Sequence, residues 1–66
     1  MRYNITLLAR GGDGLNVAVC DDEDAVRKQL SALIAVERGV EAVSEFSTAD
    51  ELLASPEHYD LLFLDI

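Results

Sequence analysis

The stretch YDLLFLDI, residues 59–66, decides the predicted fold because it places an unbroken apolar run directly before a carboxylate. A run as short as residues 61–64, with no polar residue inside it, is typical of a strand that is buried on both faces. Such strands occur in parallel sheets covered by helices. Asp65 then stands at the C-terminal end of the strand, where open α/β sheets bind ligands.

Composition limits the chain to one small domain and excludes several classes of protein. It has 66 residues, half of them hydrophobic, and one cysteine, which cannot form an internal disulfide. The apolar runs are too short to cross a bilayer, and polar residues interrupt the N-terminal apolar segment, so neither a membrane protein nor a secreted one is predicted. The net charge of −8 argues against direct nucleic-acid binding. The predicted location is the cytoplasm.

The acidity belongs to residues 15–66, which carry twelve acidic and three basic residues, whereas residues 1–14 carry two arginines and one aspartate. Residues 1–14 are therefore interpreted as a leader, either mistranslated or disordered, in front of a domain over 15–66. A glycine-rich run at residues 11–14 separates the two parts. Alternating large apolar residues in the leader are nevertheless compatible with a strand: Tyr3, Ile5 and Leu7.

A first strand is predicted over residues 15–20, because the stretch is apolar and rich in β-branched residues. Asp22 is expected to cap the following helix, which should end near Gly39. Helical spacing predicts an apolar face formed by Val26, Leu30, Leu33 and Ile34. The polar residues Arg27, Lys28 and Gln29 are predicted to face solvent.

A second strand over residues 40–46 alternates apolar and charged side chains, which suits the edge of a sheet. Ser47 and Thr48, with acidic residues three positions on, predict a capping box for a short helix that stops before Pro56. The third strand is the run at 61–64. The expected arrangement is β-α-β-α-β with parallel strands and right-handed crossovers.

Two of these strands end in acids, and their C-terminal ends lie at one edge of the sheet. If the first and third strands are neighbours, Asp21, Asp22 and Asp65 converge. A hard divalent cation such as Mg²⁺ would relieve their mutual repulsion. A carboxylate beside it could act as a nucleophile toward phosphorus.

These residues resemble the receiver domain of two-component response regulators. The resemblance rests on Val-Ala-Val-Cys-Asp-Asp-Glu at 17–23 and Asp-Leu-Leu-Phe-Leu-Asp-Ile at 60–66, and it covers 15–66 in register. It implies that Asp65 is the phosphoacceptor for a sensor histidine kinase. It also implies that Asp21 and Asp22 hold Mg²⁺ together with Asp65, Asp22 more directly and Asp21 mainly through water.

By the same resemblance, the chain is a phosphorelay switch rather than an enzyme, related to transcription regulators with a LytTR-type output. The implied fold is a truncated flavodoxin-like receiver with three parallel strands in order 2-1-3, lacking the fourth and fifth strands and the last three helices. The hydroxyl and lysine that steady the phosphoryl group in the family have no match. The expectation is therefore a receiver fragment that does not function as truncated.

Two alternatives remain open from the sequence. Haloacid-dehalogenase-type phosphatases also place a nucleophilic aspartate after an apolar strand, although the pair Asp21 and Asp22 favours the receiver. A non-catalytic interaction fragment is the other alternative. In that case strand 61–65 would be an unpaired apolar edge through which the chain forms homo-oligomers.

Overall fold

A computed structural model describes residues 3–8 and 14–65, which form a mixed sheet of four strands with two helices. In chain order the elements are β1 (Tyr3–Leu7), β2 (Leu15–Cys20), α1 (Asp24–Ala35), β3 (Val40–Phe46), α2 (Ala49–Ala54) and β4 (Leu61–Asp65). The predicted α/β class is confirmed. Neither helix of the described part is long and apolar enough to cross a membrane.

Strand β2 forms the centre of the sheet and runs parallel to both neighbours, β3 and β4. Its residues Val17, Ala18 and Val19 have no exposed surface. Val17 and Val19 pack with Ile34 of α1 to form the core. A strand buried on both faces needs an unbroken apolar sequence, which explains the composition of β2.

The order of the sheet is β1-β4-β2-β3, and β1 pairs antiparallel with β4 along its whole length. The three predicted strands are parallel and lie in the predicted order 2-1-3, which is β3-β2-β4 in the structure. The prediction of a three-stranded, wholly parallel sheet is wrong, because the antiparallel strand β1 makes the sheet four-stranded and mixed. The prediction that residues 61–65 form an unpaired edge is also wrong. Strand β1 hydrogen-bonds to that edge and sets Ile5 opposite Phe63.

Part of the segment predicted to be a leader belongs to the sheet, because residues 3–7 form β1. Gly14, which precedes β2, lies against β3. A Cβ atom at this position would approach the Cβ of Glu41 to 2.7 Å, so the close contact requires glycine. The other two glycines of the run, at 11 and 12, lie outside the described residues.

Helix α1 begins later than predicted, and Asp22 does not cap it. The N-cap is Glu23, whose side chain makes no capping hydrogen bond. The backbone N–H of Glu23 instead donates to Oδ1 of Asp21 at 2.9 Å. The carboxylate of Asp21, rather than that of Asp22, therefore stabilises the turn that leads into α1. After the helix, Gly39 takes a left-handed φ of +92°, which turns the chain into β3.

The predicted faces of α1 are wrong at two positions. Arg27, expected to face solvent, is 8% exposed, while Leu33, expected in the core, is 63% exposed. Arg27 faces the sheet because it finds acceptors there: Nε lies 3.1 Å from Oε1 of Glu45 on β3, and Nη1 donates to the carbonyl oxygen of Asp21 at 3.0 Å. Nη2 also pairs with Asp24 at 2.8 Å.

The capping box predicted for the short helix is confirmed. Thr48 is the N-cap of α2, and its hydroxyl accepts from the backbone N–H of Glu51. The Glu51 carboxylate accepts in return from the N–H groups of Ser47 and Thr48. These hydrogen bonds lower the pKa of Glu51. The helix ends before Pro56, as predicted.

Arg27→Met should lower the free energy of unfolding by about 2 kcal/mol, because Glu45 and the carbonyl of Asp21 would lose a charged donor while the packed stem is kept. Lys28→Met removes an exposed charge from the same helix and should change it by less than about 0.5 kcal/mol. Urea denaturation followed by circular dichroism measures both. Equal stability of the two variants would contradict the role assigned to Arg27.

Candidate functional site

Two parallel strands bring the acidic residues together. Cys20 of β2 is in register with Leu64 of β4, so the residues that follow, Asp21 and Asp65, come to the same edge of the sheet. With Asp22 they offer three carboxylate oxygens that all lie within 4.8 Å of one another. The structure thus places the three predicted site residues in one cluster, called here the acidic cluster.

The acidic cluster borders an open pocket of about 360 Å³. The ends of β2 and β4 form one side of it, and residues 47–49, which lead into α2, form the other. Within the cluster Asp21 is buried, Asp65 is half-buried and Asp22 is exposed. A small solute entering from solvent therefore meets Asp22 and Asp65 more readily than Asp21.

Both backbone groups and both carboxylate oxygens of Asp21 form hydrogen bonds within the fold. Its N–H donates to the carbonyl of Phe46 at 3.0 Å, and its own carbonyl accepts from Arg27. Its carboxylate accepts from the hydroxyl of Tyr3 through Oδ2 and from the N–H of Glu23 through Oδ1. The Tyr3 and Glu23 hydrogen bonds lower the pKa of Asp21, so the side chain stays ionised despite its burial.

Tyr3 is a member of the site that the sequence prediction missed. It sits opposite Asp65 in the β1–β4 register and donates its hydroxyl to Asp21. Burial, the hydrogen bond to Asp21 and the neighbouring carboxylates raise the pKa of Tyr3 to about 12. The alternation in β1 indicated a strand, but no local pattern showed that this strand pairs with β4.

Arg27 on α1 is the second residue near the site that the sequence prediction missed, and it stabilises the backbone at Asp21. Its guanidinium joins the backbone of Asp21 to Glu45 on β3, which fixes the end of β2 relative to the sheet. Arg27 is buried together with Ser31 and Ile34, which follow it at helical spacing, so Arg27 lies on the inward face of α1.

Two other reactive residue types make no comparable site. Cys20 is a free, buried thiol, and burial raises its pKa, which disfavours the nucleophilic thiolate. His58 is exposed, in the connection between α2 and β4. Neither residue belongs to the acidic cluster.

The chemistry of the acidic cluster suits a cation. Three carboxylates this close repel one another unless a positive charge or hydrogen bonds compensate. All three carboxylates line the pocket, and the hydroxyl of Tyr3 and the backbone N–H of Glu23 compensate the charge of Asp21. A hard divalent ion with oxygen ligands matches the open side of this arrangement.

Comparison with family models, curated proteins and solved structures gives no match for the chain.

Alkaline pH should test the contact between Tyr3 and Asp21. Because folding raises the pKa of Tyr3 from 10.0 to about 12, its contribution to stability is full below pH 10 and is lost as the pH rises through about 12. Tyr3→Phe should therefore be less stable than the wild type at neutral pH and should lose less stability over this range. Urea denaturation at a series of pH values measures the difference.

Tyr59→Phe is the matched control, because it removes the other tyrosine, which contacts Ser55 and Phe46 rather than the acidic cluster. It should keep the alkaline loss seen in the wild type. If Tyr3→Phe and the wild type lose stability in parallel above pH 10, the contact does not stabilise the fold.

Proposed function

We propose that the acidic cluster is a phosphoryl-accepting site of the receiver type, with Asp65 as phosphoacceptor and Mg²⁺ held by Asp21, Asp22 and Asp65. The observation that carries the proposal is the approach of the three carboxylate oxygens to within 4.8 Å at the ends of two parallel strands. The donor would be the phosphohistidine of a sensor histidine kinase, in the cytoplasm. In a complete receiver, such a site would serve as a switch in a phosphorelay that leads to transcription regulation, not as an enzyme with turnover.

The donor set fits Mg²⁺, because all three ligand atoms are carboxylate oxygens and the pocket leaves room for water. When bound, the ion supplies positive charge that screens the attacking carboxylate from the incoming phosphoryl oxygens. All three carboxylates line the pocket, but both oxygens of Asp21 already accept hydrogen bonds from protein donors. This supports direct ligation by Asp22 and a water-mediated role for Asp21.

Asp65 is the carboxylate best placed for nucleophilic attack. It is half-buried at the end of β4 and borders the open pocket. In the transfer, one of its oxygens bonds to phosphorus while the bond from phosphorus to the imidazole nitrogen of the donor breaks, and the imidazole leaves with the electron pair. The product is an aspartyl phosphate on Asp65.

Titration with Mg²⁺, followed by two-dimensional NMR of the labelled chain, should shift the backbone signals of Asp21, Asp22 and Asp65 first. Binding should be weak, because so few protein oxygens face the pocket. Asp22→Asn and Asp65→Asn should each weaken binding at least several-fold, since each removes a charged ligand.

Asp50→Asn is the matched control for these variants. Asp50 is an exposed acid in the first turn of α2, outside the acidic cluster, so its loss changes the net charge by the same amount. If the NMR shifts caused by Mg²⁺ persist in Asp22→Asn and Asp65→Asn as they do in Asp50→Asn, the ion binds diffusely to surface acids. That result would overturn the proposal.

The 66-residue chain is expected not to accumulate phosphate from acetyl phosphate. The hydroxyl and the lysine that the resemblance assigns to the phosphoryl oxygens have no match in residues 15–65, so an acyl phosphate on Asp65 would lack that stabilisation. Intact-mass measurement after incubation with Mg²⁺ and acetyl phosphate tests this. A stable gain of one phosphoryl group that disappears in Asp65→Asn would contradict it.

A further inference from the structure

The outer edge of β1 is open to pairing. β1 ends the sheet on one side, and no described residue pairs beyond it. The N–H of Leu8 donates to the carbonyl of Asp60 on the β4 side. Backbone groups alternate in direction along a strand, so those of Asn4 and Thr6 also face β4.

The backbone groups of the other residues of β1 therefore point outward: those of Tyr3, Ile5 and Leu7. The side chains of Ile5 and Leu7 are 58% and 60% exposed. By register they share a face with Phe63 and Leu61, which pack against the core. Both helices contact β2 and β3 rather than this half of the sheet, so the apolar face continues to the edge of β1.

The edge lacks the features that prevent strand pairing. Its sequence, Tyr-Asn-Ile-Thr-Leu, contains no charge and no proline, and it is rich in residues that favour strands. The opposite edge, β3, carries Glu41 and Glu45. The two edges of the sheet thus differ in charge, and β1 is the one that a strand can approach without repulsion.

We propose that a second copy of this chain pairs with β1, antiparallel, around a two-fold axis at Ile5. In that register Ile5 faces Ile5 of the second copy and Tyr3 faces Leu7, so every outward backbone group of β1 gains a partner. The apolar side chains of both copies lie on one face and continue the strip formed with β4.

Charge favours this contact over others between two copies. Each chain carries a net charge of −8, and most surfaces would bring acidic residues together. Pairing through β1 joins uncharged strands and keeps Glu41 and Glu45 of each copy at the far edges. The proposal does not depend on the acidic cluster or on its function.

Sedimentation equilibrium of the full chain, over a range of concentrations, tests the proposal. The wild type should approach twice the mass of one chain, and added salt should favour the dimer because it screens the repulsion between acidic surfaces. Ile5→Lys should give the mass of one chain. Ile5→Lys makes the chain less negative, so greater overall repulsion between two copies cannot explain a loss of the dimer.

Leu53→Lys is the matched control, because Leu53 is 81% exposed on α2 and the charge change is the same. It should remain dimeric. Circular dichroism checks that Ile5→Lys keeps its fold, and Leu7→Lys takes its place if it does not. A monomeric wild type, a dimeric edge variant that is folded, or dissociation of Leu53→Lys would each overturn the proposal.

Discussion

The fold depends on the pairing of β2 on both of its sides. Val17, Ala18 and Val19 have no contact with solvent, so their backbone groups must hydrogen-bond to neighbouring strands. β3 and β4 supply these partners and both run parallel to β2. Parallel pairing brings the strand ends to one edge, and the acids after β2 and β4 meet there. The acidic cluster is thus a consequence of how the core is built.

Elements set by local pattern were predicted well from the sequence. The strands at 15–20, 40–46 and 61–65 and the capping box of Thr48 and Glu51 follow from apolar runs and from residues close in sequence. Features that depend on distant partners were not. Arg27 is buried because its guanidinium forms an ion pair with Glu45 on β3. The helical periodicity of α1 cannot reveal a partner that lies on another element.

The same difference between local patterns and distant partners decides which features of β1 and of the acidic cluster could be predicted. A strand signal does not specify a partner, so the alternation of Tyr3, Ile5 and Leu7 left open which edge it would cover. The meeting of Asp21, Asp22 and Asp65 could be predicted, because crossover connections place the C-terminal ends of parallel strands together. The contact of Tyr3 with Asp21 could not, since it requires β1 to lie antiparallel on β4.

β1 joins the acidic cluster to the edge of the sheet. Tyr3 contacts Asp21 at one end of the strand, while the backbone groups of Ile5 and Leu7 point outward along it. An edge strand with partners on one side frays more readily than a central one. Pairing with a second copy would give β1 hydrogen-bonding partners on both sides. It would thereby also fix the position of the Tyr3 hydroxyl. Because that hydroxyl donates to an oxygen of Asp21, assembly at the edge would keep the carboxylate of Asp21 hydrogen-bonded within the fold.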